Sequence, residues 1–289
     1  MSYDPEVKPE DKKSLFGVIV HSFFVVPFLL AVFSVLLFAA VRILTMEKRS
    51  AYDYLQDVRT GGATKRWQGA FELSRILSNR EAVPKEDKFA DEMIDAFQAS
   101  RHDDDRVRQY LAMAMARTGN PRFVDPLLAA LPNEKDENLY AIISALGILG
   151  SNKASNVLIK CLDDDNARIR LAAVIALGNI GDPSSVQPLK RMLNDAQPNV
   201  AWDAAVALAK MGDRSGKGII LKLMDRQYLA GFPNVDPQQQ SRIMLVAIEA
   251  SAQWNDPEVK TVLQGLSASD KNMKVRALAH KILDNNGTT

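Results

Sequence analysis

The sequence predicts an all-α protein: stacked helix pairs forming an α-solenoid, preceded by one transmembrane helix. Three observations predict it. Residues 14–41 form a 28-residue run without a formal charge. Gly119, Gly150, Gly181 and Gly212 then recur every 31 residues. Apolar columns keep register with those glycines, and a fixed period of 20–50 residues marks stacked-repeat architecture.

The uncharged run, SLFGVIVHSFFVVPFLLAVFSVLLFAAV, exceeds the ~20 helical residues that span a bilayer core. A signal peptide has an apolar stretch of only about 7–15 residues and a small-residue cleavage site, so the run reads as an uncleaved anchor. Pro27 in mid-span removes one backbone hydrogen bond, which membrane helices tolerate. His21 and Ser22 near its amino end fit the headgroup level better than a proton path. Lys8, Lys12 and Lys13 precede the span, and Arg42, Lys48 and Arg49 follow it. This near tie tips towards a cytoplasmic carboxy-terminal domain because Arg59, Lys65 and Arg66 continue the basic excess on that side. Residues 1–13 form a polar tail. Residues 42–62 read as a polar juxtamembrane helix and linker, with Gly61-Gly62 as a joint or helix stop. The solenoid is expected over 63–285, with a tail at 286–289.

Whole-chain composition narrows function. The 289 residues carry a net charge of +1, no footprint for nucleic acid, whose binders carry a strong basic excess. Cys161 is alone, so no intrachain disulfide forms, and on a helix it reads as a small buried apolar residue. His21, His102 and His280 are scattered, and no cluster has metal-ligand spacing. No metal, cofactor, catalytic set or small-molecule substrate is expected.

Each 31-residue unit holds two helices. In NARIRLAAVIALGNI, Ile169, Ala172, Ala173, Ala176, Leu177 and Ile180 share one helix face. Alanine there lets neighbouring helices approach. The column four residues before each glycine reads Met115, Leu146, Leu177 and Leu208, with Ala114, Ala145, Ala176 and Ala207 one before it. Eight and twelve residues after each glycine come Leu127, Leu158, Leu189 and Ile220, then Leu131, Leu162, Leu193 and Met224. Gly181 ends the first helix in the left-handed region. Asp182 caps the next helix and Pro183 opens it. With no preceding strand and no following Lys-Ser/Thr, this turn is no phosphate loop.

The unit DNARIRLAAVIALGNIGDPSSVQPLKRMLND resembles a HEAT-like repeat of the type described in phycobilisome bilin lyases. The resemblance rests on the opening pair Ile169-Arg170, the Leu-Gly-x-Ile-Gly-Asp turn and the Leu-x-x-x-Leu second helix. Val107-Arg108 and Val275-Arg276 repeat the opening pair, whereas Leu139 and Ala201 break it. It covers roughly 101–284 and more loosely 63–100, where WQGAFELSRIL and FADEMIDAFQA form a degenerate pair; NMKVRALAHKIL caps the stack. It implies about six helix pairs in a curved right-handed α-solenoid, with second helices lining the concave face.

Enzyme precedents fit poorly. Metal-dependent HEAT enzymes of the deoxyhypusine hydroxylase type use His-Glu dipeptides, but here His102 precedes Asp103 and His280 precedes Lys281. Bilin lyases are soluble, which an anchor does not match. A glycosylase-like role needs a basic face with placed aromatics, and Trp67, Trp202 and Trp254, on predicted first helices, read as packing residues. Asp163-Asp164-Asp165 at a turn reads as capping rather than a cation site.

A binding surface remains. Lys160, Arg191 and Lys222 occupy equivalent second-helix positions, with Arg122 and Lys153 one turn earlier in their units, predicting a basic stripe. Asp182-Pro183 and Asp256-Pro257 lie 74 residues apart where two repeats give 62. The extra 12 residues fall near 226–237, offering Tyr228, Leu229 and Phe232 in a Pro/Gly-rich loop, and repeat insertions often mark the binding face. The expected function is a membrane-anchored scaffold or adaptor for a protein partner, a subunit of a bacterial inner-membrane complex such as a transporter. The alternative is a lyase-like or chaperone-like protein acting on a bound cofactor or client.

Overall fold

The computed structural model of the chain describes residues 21–45 and 49–287. The expected polar tail at 1–13, the first part of the apolar run at 14–20 and the last two residues lie outside them. The chain divides into two units, Met1–Arg49 and Ser50–Thr289.

In the first unit a π-helical turn, His21–Val25, leads into α1, Val26–Thr45. Pro27 therefore sits in the first turn of α1, where the missing N–H coincides with the change of helix type. Phe23–Val41 is long and apolar enough to cross a membrane, with a mean hydropathy of 2.8, and none of it is buried.

The second unit is helical, without a strand among its described residues. It opens with α2, Ala51–Thr60, and α3, Ala63–Ile76. Ser50 and Asp53 form a reciprocal capping box at the start of α2. Leu55 and Val58 are buried with Leu73 of α3. A Cβ on Gly69 would lie 3.0 Å from Asp57 Cβ, so the two helices are in close contact. Gly61-Gly62 is thus the stop between two packed helices, and residues 50–62, within the 42–62 stretch read from sequence as juxtamembrane helix and linker, fall in the second unit.

Five longer helices, α4 (Asp87–Ala99), α5 (Asp105–Thr118), α7 (Asp136–Leu149), α9 (Ala167–Ile180) and α11 (Pro198–Lys210), and three shorter ones, α6 (Val124–Ala130), α8 (Ser155–Lys160) and α10 (Val186–Met192), carry the regular repeats. There follow α12 (Lys217–Leu223), α13 (Arg226–Ala230), α14 (Pro237–Ser251), α15 (Pro257–Ser269) and α16 (Met273–Gly287). First helices α3, α5, α7, α9 and α11 pack side by side in one row. All four column glycines have positive φ, between 66° and 81°. Gly181 N–H donates to Leu177 O at 2.9 Å, closing α9. Asp182 accepts from Ser184 N–H at 2.9 Å and Pro183 opens the turn into α10. The columns Met115/Leu146/Leu177/Leu208 and Leu127/Leu158/Leu189/Ile220 are fully buried.

Small residues set the row's spacing. A Cβ on Gly147 of α7 would fall 2.6 Å from Ala176 Cα, and one on Gly178 of α9 would fall 2.6 Å from Ala207 Cβ. Ala176 and Ala207 of the alanine column are therefore met by Gly147 and Gly178, which the sequence reading did not mark. The second helices are short and have no comparable row, so the close spacing belongs to the first helices.

Candidate partner-binding surface

The opening arginines are clamps rather than surface charges. Arg108 of α5 is buried, pairing with Glu134 at 2.5 Å and donating to Phe97 O at 2.7 Å. Arg170 of α9 makes a two-pronged contact with Asp195 at 2.7 and 2.9 Å and donates to Asp164 O at 2.9 Å. The Arg170 guanidinium holds the Asp195 carboxyl below its ordinary range despite burial. Each clamp ties the start of a first helix to the segments that precede and follow its own helix pair. The acidic run behaves as turn chemistry: Asp164 accepts from Asn166 N–H at 2.8 Å, and the Asn166 side chain caps α9. Among the described residues, no group of three or more His, Cys, Asp or Glu side chains is placed to hold a metal ion.

The expected basic stripe divides. Arg122 pairs with Asp87 at 3.1 Å and with Asp91. Lys153 meets both Asp125 oxygens at 3.0 Å, and Arg191 stands 3.9 Å from Asp163. The acids precede the cations by 28–35 residues, so each cation faces the previous unit. These pairs are exposed, hence individually worth little, but they cancel the like-charge repulsion that a bare stripe implies. Lys160 and Lys222 are exposed, and among the described residues neither has a carboxylate at ion-pairing distance.

The insertion is a built element. Asp225 caps α13, and Leu229 is 0% exposed within the carboxy-terminal core. Leu229 is thus a core residue, a correction to its expected place as an exposed anchor: a helical turn, rather than a loop, aims it inward. Arg226 makes a two-pronged contact with Asp270 at 2.7 Å and donates to Ser241 Oγ at 3.1 Å. Tyr228 and Phe232 pack with Trp202 of α11. Ring centroids are 4.7 Å apart for Trp202–Phe232 and 5.2 Å for Tyr228–Phe232, both edge to face. Trp202 Nε1 donates to Tyr228 Oη at 3.3 Å, and Lys222 Nζ lies 6.0 Å from the Tyr228 ring centre. Both insertion rings remain half-buried, and Trp202 is their partner. Trp254 is buried in the turn after α14, not on a first helix.

Burial pushes the Cys161 thiol up to about 11, so it is a neutral packing group. Burial also raises the Asp203 carboxyl on α11, against the opposing charge of Lys210.

This architecture defines an α-solenoid. Two overlapping matches to HEAT repeats, at residues 94–177 and 155–227, show that this part of the chain is built of HEAT repeats. In structure it is similar to the complex of CpcE and CpcF of phycocyanin lyase from Nostoc sp. PCC7120. That likeness has 17% identity and a TM-score of 0.56, covering 84% of this chain and 96% of that one. It is also similar to a designed armadillo repeat protein in complex with the peptide (KR)4, with 19% identity and a TM-score of 0.43, covering 80% and 97%. No curated protein sequence matches the chain.

Proposed function

We propose that this protein is a membrane-anchored HEAT-repeat adaptor that docks a protein subunit of a bacterial membrane complex, such as a transporter. The observation that carries it is the division of one chain into an unburied apolar helix of membrane-spanning length and a separate packed solenoid. A solenoid offers extended surface rather than a closed pocket, and its repeats are commonly used for protein binding. The anchor restricts the search for a partner to one membrane. The solenoid faces the cytoplasm in this reading. Of the sequence-derived surface, Lys222, Tyr228 and Phe232 lie together as one candidate docking edge, and Lys160 adds an exposed cation two units earlier.

Two measurements test the reading. After carbonate or high-salt extraction, full-length protein is expected in the membrane pellet, because apolar burial and not charge retains it; recovery in the soluble fraction refutes the anchor. Crosslinking in native membranes is expected to capture one stoichiometric membrane-complex subunit. A purified sample carrying a coloured or ultraviolet-absorbing ligand, with no captured protein, would replace the adaptor by the lyase-like alternative.

A further inference from the structure

The first helices carry a second surface, which the repeat columns did not mark. The outward faces of α3, α5 and α7 enclose an open groove of about 460 Å³ whose walls include Phe71, Tyr110, Met113, Tyr140 and Arg117. Phe71 is 41% exposed, and its ring meets Tyr110 edge to face at 5.3 Å. The apolar character continues past the groove. Tyr140, Ser144 and Ile148 follow at i, i+4 and i+8 along α7, and Ile148 is 50% exposed. Ile175, one 31-residue period after Ser144, is 43% exposed on α9. Exposed aromatic and branched side chains gathered on one face mark an interaction site more than scattered ones do.

Charge at the groove specifies the occupant. Arg75, Arg117 and Arg168 line it with a single carboxylate, Glu137. Arg75 is held by Glu72 at 2.6 Å. Arg168 pairs with Glu137 and lies 4.4 Å over the Tyr140 ring. Arg117 differs: its Nη1 donates to Ser74 O at 2.5 Å, and among the described residues it has no carboxylate partner. An exposed guanidinium with one donor nitrogen engaged can still take a carboxylate through its other N–H groups.

We infer that this groove holds a short segment of the docked partner in which an acidic residue stands beside aromatic or branched apolar residues. The partner's carboxylate pairs with Arg117, and its apolar side chains lie among Phe71, Tyr110, Met113 and Tyr140. The inference rests on the adaptor reading and names the face and the chemistry it uses. A nucleic acid does not fit, because the lining is mainly apolar and only one of its cations is unpaired.

The test uses the full chain in detergent and two fluorescein-labelled synthetic peptides. One alternates Glu with Leu and Phe, and the other carries Lys in place of Glu. Fluorescence anisotropy is expected to show binding of the Glu peptide and at least tenfold weaker binding of the Lys peptide. Arg117→Glu should weaken the Glu peptide at least tenfold, whereas Lys160→Glu with Lys222→Glu should change it less than twofold. Phe71→Ala, at an exposed ring, should reproduce the loss if Arg117→Glu disturbs the fold. Equal binding of both peptides, no binding of either, or indifference to both the Arg117 and Phe71 changes would overturn the groove. A photocrosslinker placed in turn at Met113, Lys160 and Phe232 in native membranes separates the two readings. Capture from Lys160 or Phe232 but not Met113 overturns the groove and leaves the adaptor standing. Capture from none of the three overturns the adaptor itself.

Discussion

Two glycines three residues apart do opposite work. Gly181 has φ +72°, and a Cβ there would meet nothing within 4 Å, so its cost to substitution is conformational alone. Gly181→Val should destabilise by about 1–2 kcal/mol, because side chains resist the left-handed region, and Gly181→Asn should cost less. Gly178 sits inside α9, where alanine would gain about 1 kcal/mol of helix propensity. Its Cβ would lie 2.6 Å from that of Ala207, and overpacking of that kind costs about 1–3 kcal/mol. The steric effect wins, so Gly178→Ala should destabilise, as urea unfolding would show. Asp203 gives a test of opposite sign. Its folded pKa is raised, first by burial, so its contribution is present below the unfolded value of about 3.9 and is lost as pH rises through the folded one. Asp203→Asn should therefore raise the melting temperature at neutral pH and leave it nearly unchanged near pH 3. Cys161, a neutral thiol at ordinary pH, should react with maleimide much more slowly in the native protein than in urea.

At the scale of the element, repeat packing and clamps between units share the load. Leu177, fully buried on α9, should cost about 2–5 kcal/mol when cut to alanine; a parent-like melt would show that 176–189 is not a packed turn. The Arg170–Asp195 clamp makes stability depend on acid. Asp195 titrates below its unfolded value of about 3.9, so its contribution is present above that value and is lost as pH falls through the depressed one. The melting temperature should fall below pH 4, and Asp195→Asn should flatten part of that fall. The insertion follows the same logic: α13 spends Leu229 on the core and Arg226 on Asp270, which leaves only Tyr228 and Phe232 to face a partner.

Across the whole solenoid the buried core falls into two clusters that meet on α11. Ala204, Ala207 and Leu208 belong to the amino-terminal cluster, while Ala205, Val206 and Ala209 belong to the carboxy-terminal one. Stability in such stacks is a sum of unit and neighbour contributions. Leu263→Ala, in the second cluster, should therefore speed hydrogen exchange over 205–282 and leave the amides of α5 to α9 protected. Equal loss of protection in both regions would show one cooperative block instead.

The period of 31, the left-handed glycines, the buried columns and the cap of Asp182 were legible in the sequence because they are local physics repeated at each unit. A helix phase says which side faces inward, and a glycine at a chain reversal announces its own conformation. Tertiary structure alone decided what stands opposite each outward residue. Arg122, Lys153 and Arg191 share a pattern with Lys160 and Lys222, but among the described residues acids of the previous unit meet only the first three. Trp202 became the partner of the insertion's rings, Leu229 turned inward, and Arg117, beside Phe71 and Tyr110, was left without a carboxylate among the described residues. These outcomes depend on the lateral offset between neighbouring helices, set where Gly147 meets Ala176 and Gly178 meets Ala207. A repeat period records where a side chain lies on its own helix, whereas its partner is fixed by how closely, and at what shift, the next helix packs against it.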